Sequence, residues 1–267
     1  MATQIHPTAM VEPGAQLDDG VQIGAYCLVG TDVLLRNGCV LHSHVVIDGH
    51  TSVGPRTQIF PFASIGLQPQ DLKYNGELST LEIGADNVIR EHVTMNPGTE
   101  GGGMVTKIGN GCLFMVGVHI GHDCQVGNQV IMANNATLAG HVTVQDFAVL
   151  GGLSAVHQFA RIGRYAMVGG VTGVERDVIP FGSVIGDRAR LSGINIIGMK
   201  RRGLSREEIH DVRKAYRLLF AGEGKYHERL EEVALEFPSS APVIEIINFI
   251  RADSSRKICQ PEDVNDL

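Results

Sequence analysis

Hydrophobic positions along this chain keep a six-residue period. From Ile5, aliphatic residues fall at Val11, Leu17, Ile23, Val29, Leu35, Leu41, Ile47, Val53, Ile59 and Ile65, eleven in succession with none skipped. A 3.6-residue helix would sweep these positions round every face, and a plain half-buried strand would alternate every second residue. Short strands joined by tight corners satisfy the period, each coil pairing its backbone with the next at about 4.8 Å. If three sixes close one turn, residues eighteen apart stack. Glycine often follows the aliphatic (Gly24, Gly30, Gly54, Gly66, Gly109, Gly127), as suits a sharp change of direction.

Two segments interrupt the rhythm. In 66–82, Asp71 and Glu77 stand at aliphatic positions, yet the phase resumes at Ile83, Ile89 and Met95. In 96–107 one residue of register is lost before Ile108. Both read as loops thrown out from the coil, the usual carriers of binding on a rigid repeat. The period continues through Phe114 and Ile120 to Val174 and fades near Pro180, giving 26 hexads, or between eight and nine coils. From about 187 the texture changes. Ser205 and Glu208 form a capping box ahead of Ile209, Val212, Tyr216, Leu219 and Phe220 at helical spacing, with Gly222 and Gly224 as the stop. Further helices are expected near 225–236 and 241–251, then a polar tail. The expected architecture is an all-β parallel β-helix over 1–186, followed by a smaller C-terminal α-helical domain over 187–267.

Composition narrows this further. With no Trp and 5% aromatics, the core must be built from Val, Ile, Leu and Ala, which suits a narrow coil; Gly is 33 of 267 residues without a Gly-X-Y period. The net charge of -7 argues against a general nucleic-acid binder. No run approaches the 18 apolar residues of a transmembrane span, and the N-terminus lacks the layout of a signal peptide, so a cytoplasmic location is expected. Cys27, Cys39, Cys112 and Cys124 each lie four after a hexad aliphatic, in the slot filled elsewhere by Ala, Val or Thr. They read as small buried hydrophobes. Cys259 stands alone in the tail, and there is no Cys-x-x-Cys pair.

The chemistry concentrates in 119–157, which holds His119, His122, His141 and His157. Ile120, Leu138 and Val156 are eighteen apart, so His122, His141 and His157 gather on one edge of three successive coils. Imidazole titrates near neutrality, which suits a general base. His6, His42, His44, His50, His92, His210 and His227 read as solvated corner or surface residues. Gly101-Gly102-Gly103 opens no helix after a strand and reads as a mobile loop, not a phosphate cradle. Lys200, Arg201, Arg202, Arg206, Arg213, Lys214 and Arg217 form a basic cluster in an acidic chain. It is either a solvated helix face or a patch that steers an acidic partner.

The hexads resemble those of the left-handed parallel β-helix acyltransferases. Within that superfamily, Gln70-Asp71-Leu72-Lys73-Tyr74, His119-Ile120-Gly121-His122-Asp123-Cys124, Ala133 to His141, Ala155-Val156-His157-Gln158-Phe159 and Gly198-Met199-Lys200-Arg201-Arg202-Gly203 are similar to the UDP-N-acetylglucosamine O-acyltransferase family. The likeness spans nearly the whole chain and implies left-handed coiling. It also implies a homotrimer with sites between coils, and transfer of an (R)-3-hydroxyacyl group from acyl carrier protein to the sugar 3-position, the first step of lipid A synthesis. No metal or organic cofactor is implied beyond the carrier's phosphopantetheine. By resemblance His122 is the base, Asp123 its carboxylate, and the Gly140 N–H faces the oxyanion. His119, His141, His157, Gln70, Asp71, Lys73, Gln158 and Asn195 would line the substrate cleft, and Arg201 and Arg202 would meet the carrier. Gly170 falls where the acyl pocket ends, which favours a chain of roughly C12 to C14 over C10, although methylene selectivity is worth only about 1–3 kcal/mol.

Three departures from the family pattern stand out: Asn96-Pro97 in place of a basic pair, Arg188 in place of a histidine, and Ile197 in place of an acidic residue. They leave open the 3-amino analogue of the sugar, which would give an amide. A γ-class carbonic anhydrase uses the same coil with three zinc histidines, but spaces its paired ligands wider than His119 and His122. A sister N-acyltransferase would carry a domain ahead of the coil, for which hexads starting at Ile5 leave no room. A non-catalytic scaffold would tolerate loss of His122.

Overall fold

A computed structural model describes residues 2–220, 224–253 and 256–262. Each hexad aliphatic from Ile5 to Val174 is the last residue of a short strand. Among the described residues these strands sort into three parallel sheets, the faces of a triangular prism, which hold eleven, nine and eight strands once two later strands join the first. Ile5 pairs with Ile23, Val11 with Val29 and Leu17 with Leu35, so the stacking distance is the expected eighteen residues. From Ile23 to Val174 the last residue of each strand is buried while its predecessor is more exposed; in the first coil Ile5 is exposed and Val11 and Leu17 are half-buried. The resulting columns are dry: Ile47, Ile65, Met95, Ile120 and Leu138 have no exposed surface. Cys27, Cys39, Cys112 and Cys124 are buried as expected. Their thiols donate to the carbonyls of His42, Gly54, Gly127 and Ala139, and burial pushes the Cys124 thiol up to about 12.

The corners carry residues in the left-handed backbone region, a conformation that disfavours Cβ-bearing residues. Tyr26, His44, Phe62 and His92 all have φ near 60° and stack their rings at 5.1, 5.1 and 5.2 Å from coil to coil. Ring contact offsets part of the backbone cost, which is how aromatic residues hold positions where glycine would fit more easily.

One corner, from the nine-stranded to the eight-stranded sheet, differs from the other two. The first loop leaves there between Ile65 and Thr80, and the second one coil later between Met95 and Val105. The next three passages through the same corner carry His122, His141 and His157. Five successive coils thus present loop, loop and three histidines along one edge. The loops are laced together: the Asn96 amide donates to the Leu67 carbonyl, the Glu77 carboxylate accepts the Glu100 N–H, and the Gly98 N–H donates to the Thr80 carbonyl.

Beyond Val174 the eleven-stranded sheet is completed by Gly182–Ile185 and, antiparallel to it, Arg190–Ile194. Four helices follow: α1 (Ile196–Arg201), α2 (Arg206–Leu219), α3 (Tyr226–Glu236) and α4 (Ala241–Ala252). The Ser205/Glu208 capping box is present at the start of α2, whose C-cap is Phe220. Gly222 lies outside the described residues, and Gly224 has φ 74° just ahead of α3. Helix α1 was not legible as a period, since six residues are less than two turns. The tail after α4 is not a free polar segment over 256–260. Ile258 pairs with Asp177, and Leu191 donates to the Gln260 carbonyl. The fully buried Asp177 carboxylate accepts from Arg161 Nε at 2.7 Å and Arg256 Nε at 3.0 Å. Cys259 is buried in this strap.

Candidate active site

Two residues per coil form the histidine-bearing corner, and in three successive coils they are His122-Asp123, Gly140-His141 and Gln158-Phe159. The His141 N–H donates to the His122 carbonyl at 2.9 Å, and the Phe159 N–H to that of Gly140 at 3.2 Å, which fixes the stacking. Asp123, His141 and Phe159 share the left-handed position with φ of 59°, 62° and 66°. That conformation turns the Asp123 side chain back toward the ring of its neighbour. His122 Nδ1 lies 2.8 Å from Asp123 Oδ2, and the carboxylate has no exposed surface. With Nδ1–H donating to the carboxylate, the lone pair sits on Nε2. The His141 ring meets the His122 ring edge-on at 4.9 Å and stacks on Phe159 at 4.4 Å.

Gly140 is required by shape. A Cβ built there would sit 2.4 Å from His122 Cε1 and 2.5 Å from Nε2, so the imidazole occupies the space that a side chain would take. The Gly140 N–H donates to no acceptor among the described residues, as at the equivalent corner positions Asn134 and Gly152. A free donor beside the basic nitrogen is the arrangement that an oxyanion requires.

Asp123 is held by the second loop. Thr99 gives it two hydrogen bonds, from the backbone N–H to Oδ1 at 2.9 Å and from the hydroxyl to Oδ2 at 2.6 Å. The Asp123 N–H donates to the Thr106 hydroxyl at 2.7 Å. Gly101-Gly102-Gly103, expected as a mobile loop, includes a short 3-10 helix at Glu100–Gly102 packed over this carboxylate. A Cβ on Gly102 would lie 1.9 Å from Asp123 Cγ. His122, Asp123 and His141 offer donor atoms within 4.8 Å of one another, a set able to receive a divalent ion. In the arrangement seen, the Asp123 oxygens already accept from Thr99 and His122.

Burial lowers the pKa of His119, with the neighbouring His122 as a second cause. Burial also lowers that of His141, opposed by Asp123 and reinforced by His122. Asp71 and Lys73 lie close enough to enter the electrostatics of His141, which places the first loop beside the site. His119 hydrogen-bonds through Nδ1 to the Thr94 hydroxyl at 2.7 Å.

The other residues expected in the site lie at its exposed rim or elsewhere on this chain. Gln70 is exposed on the first loop. His157 and Gln158 are exposed one coil beyond His141, His157 Nδ1 lying 3.1 Å from the Gln158 carbonyl. The ring that stacks on His141 is that of Phe159, not His157. Gly170 occupies a different corner, where a Cβ would meet only the Gly152 carbonyl at 3.3 Å. Asn195 caps α1, accepting the Gly198 N–H and donating to the Tyr165 carbonyl. Arg201 lines a cleft on the eleven-stranded sheet with Val149, Met167 and Ser183. Arg202 donates to Gln129 at 2.8 Å and lies over the Phe147 ring at 4.6 Å, on the corner between the eight- and eleven-stranded sheets. Of the departures, Asn96 is the buried brace between loops, Arg188 lines a cleft with Arg176 and Glu262, and Ile197 is exposed. Sequence reading missed Thr99, Gly102, Thr106 and Phe159. Phe159 is eighteen after His141 and could have been found by the stacking rule; the loop residues carry no period.

Fold and site together define a hexapeptide-repeat acyltransferase. A bacterial transferase hexapeptide model matches residues 106–140, and the second domain of UDP N-acetylglucosamine O-acyltransferase matches 177–259. The chain is 53% identical over 203 residues to the acyl-[acyl-carrier-protein]–UDP-N-acetylglucosamine O-acyltransferase of Paracoccus denitrificans, covering 76% of this chain and 77% of that one. To the same-named protein of Methylobacterium radiotolerans it is 59% identical over 207 residues, 78% and 76% of the two chains. The structure of LpxA from Acinetobacter baumannii superposes with a TM-score of 0.92 at 41% identity, covering 96% of this chain and 99% of that one. The UDP-N-acetylglucosamine acyltransferase of Campylobacter jejuni gives 0.89 at 38% identity, with 97% and 99% covered. The chain belongs to the UDP-N-acetylglucosamine O-acyltransferase family, with its left-handed parallel β-helix and C-terminal helices. This membership replaces the carbonic anhydrase alternative. Among the described residues, no helix is long and apolar enough to cross a membrane.

Proposed function

We propose that this acyltransferase moves an (R)-3-hydroxyacyl group from the phosphopantetheine thioester of acyl carrier protein to the 3-hydroxyl of UDP-N-acetylglucosamine, opening lipid A synthesis. The observation that carries the reading is the His122–Asp123 pair, with Nε2 against Gly140. Nε2 takes the proton of the attacking hydroxyl as its oxygen bonds to the thioester carbonyl. The Gly140 N–H receives the developing oxyanion, a contact worth about 3 kcal/mol. When the C–S bond breaks, the imidazolium returns its proton to the pantetheine sulfur. Asp123 orients the ring and stabilises its cationic form. His141, His119, Asp71 and Lys73 hold the sugar beside it; His157, Gln158 and Gln70 contribute from the rim. Neither metal nor organic cofactor takes part.

Asn195, Arg201 and Arg202 sit on other edges of the prism than His122. For them to meet the same substrate, a second copy of the chain must present them, which supports a homotrimer with sites between subunits. The coil over 1–186 then supplies the base, and the part over 187–267 receives the carrier. In a chain of net charge -7 the positive cluster around Arg201 is suited to an acidic carrier.

The test is a mass-spectrometric product assay offering UDP-N-acetylglucosamine, its 3-amino analogue and several acyl carrier proteins. An ester product that disappears in His122→Ala is expected. An amide product would assign the amino sugar instead, and full activity in His122→Ala would overturn the general-base role.

A further inference from the structure

We propose that Thr99, on the second loop, is a positioning residue that assigns the Asp123 carboxylate to His122 and withholds it from His141. The inference rests on the reading of His122 as the base.

Asp123 Oδ2 has two imidazoles in reach. It lies 2.8 Å from His122 Nδ1 and 3.9 Å from His141 Nδ1. A carboxylate free to rotate about its Cβ–Cγ bond could turn this oxygen from one ring to the other. Thr99 removes that freedom by gripping both oxygens at once, its N–H on Oδ1 and its hydroxyl on Oδ2. Hydrogen bonds to an ionised acceptor are the short and strong ones, and these are buried.

The local backbone shows that the grip is not incidental to the turn. Thr99 occupies the N-cap of the Glu100–Gly102 3-10 helix with an extended backbone, where a threonine hydroxyl ordinarily caps its own helix. Here the side chain makes no capping bond; the hydroxyl goes to Asp123, 24 residues on. Gly102 closes over the same carboxylate and has room only because it lacks a Cβ. Through Glu100 N–H on Glu77, the brace also reaches the loop that carries Asp71 and Lys73. Formation of the second loop and alignment of the base are therefore one event.

Thr99→Val keeps the volume and the backbone N–H but deletes the hydroxyl. In steady-state assays kcat should fall about 10- to 100-fold, the scale of one hydrogen bond to a charged group. KM for the UDP-sugar should change less than kcat, since of the sugar-holding groups only His141 lies within reach of the released carboxylate. Thr99→Ser should restore most of kcat. In an Asp123→Asn background the same Thr99→Val change should add little, because its target is already altered. Wild-type kcat in Thr99→Val, failure of Ser to rescue, or an undiminished Thr99→Val effect on Asp123→Asn would each overturn the inference. His122→Ala, run alongside, separates the two readings: if it is active, the base assignment fails; if it is inactive while Thr99→Val is unimpaired, only the role of Thr99 fails.

Discussion

His122 and Asp123 are adjacent in sequence, yet their side chains meet at 2.8 Å because Asp123 adopts φ 59°. In extended or helical backbone, neighbouring side chains diverge. The corner that turns the coil is the device that pairs them. Asp123→Asn keeps the corner, since Asn tolerates this region well, and loses the charge. It should fold normally by circular dichroism and lose at least about 10²-fold in kcat.

Gly140→Ala tests the shape of the site without altering any polar group. Gly140 is not in the left-handed region, so the backbone accepts alanine, but the new Cβ would overlap the His122 ring. The ring must leave its seat. We expect a melting temperature within a few degrees of wild type and a kcat reduced about 10²-fold or more. Wild-type turnover would contradict a fixed seat for the ring.

Burial lowers the pKa of His119 and His141 from the ordinary value of about 6.5. A histidine depressed in the folded state stays neutral there while its unfolded counterpart takes a proton. Its contribution is complete above about pH 6.5 and is lost as the pH falls through the folded value. Thermal stability should therefore drop between pH 7.5 and 5. His119→Gln, which keeps a partner for Thr94, should show a shallower fall, and parallel curves would contradict this.

Asp177 joins the Arg161 guanidinium to that of Arg256 and has no exposed surface. Removing one member of a buried ion pair leaves uncompensated charge, at a cost of roughly 3 kcal/mol. Urea unfolding of Asp177→Asn should show the loss, with kcat at 20 °C little changed.

Complementation tests the proposed seam between subunits. Chains carrying His122→Ala and chains carrying Arg201→Glu with Arg202→Glu should each be impaired alone. Mixed trimers would contain sites that take an intact base from one chain and an intact basic cluster from the other. Recovered activity on co-expression is expected, and none would mean that each site is built within one chain.

The fold was legible because its rule is short. A strand-ending aliphatic every six residues fixed the three faces, and the eighteen-residue stack placed His122 next to His141. Where the period stops, the sequence carries no comparable signal. Thr99 and Gly102 owe their places to a loop with no period, and α1 is too short to show one. His157 shares the edge, but the stacking partner of His141 is Phe159, because the left-handed position repeats with Asp123 and His141 and not with His122. Asn195, Arg201 and Arg202 lie in a part of the chain whose meeting with the base depends on a neighbour, and that is not written in any single-chain pattern.

Both inserted segments leave by the same corner that later presents the histidines, while the flanking strands rejoin the ladder in register. The prism therefore has a compliant seam and two stiff ones. Chain length can grow or shrink along the compliant seam without rotating any face behind it, so loops exchanged there between relatives should retune what is gripped and leave the winding undisturbed.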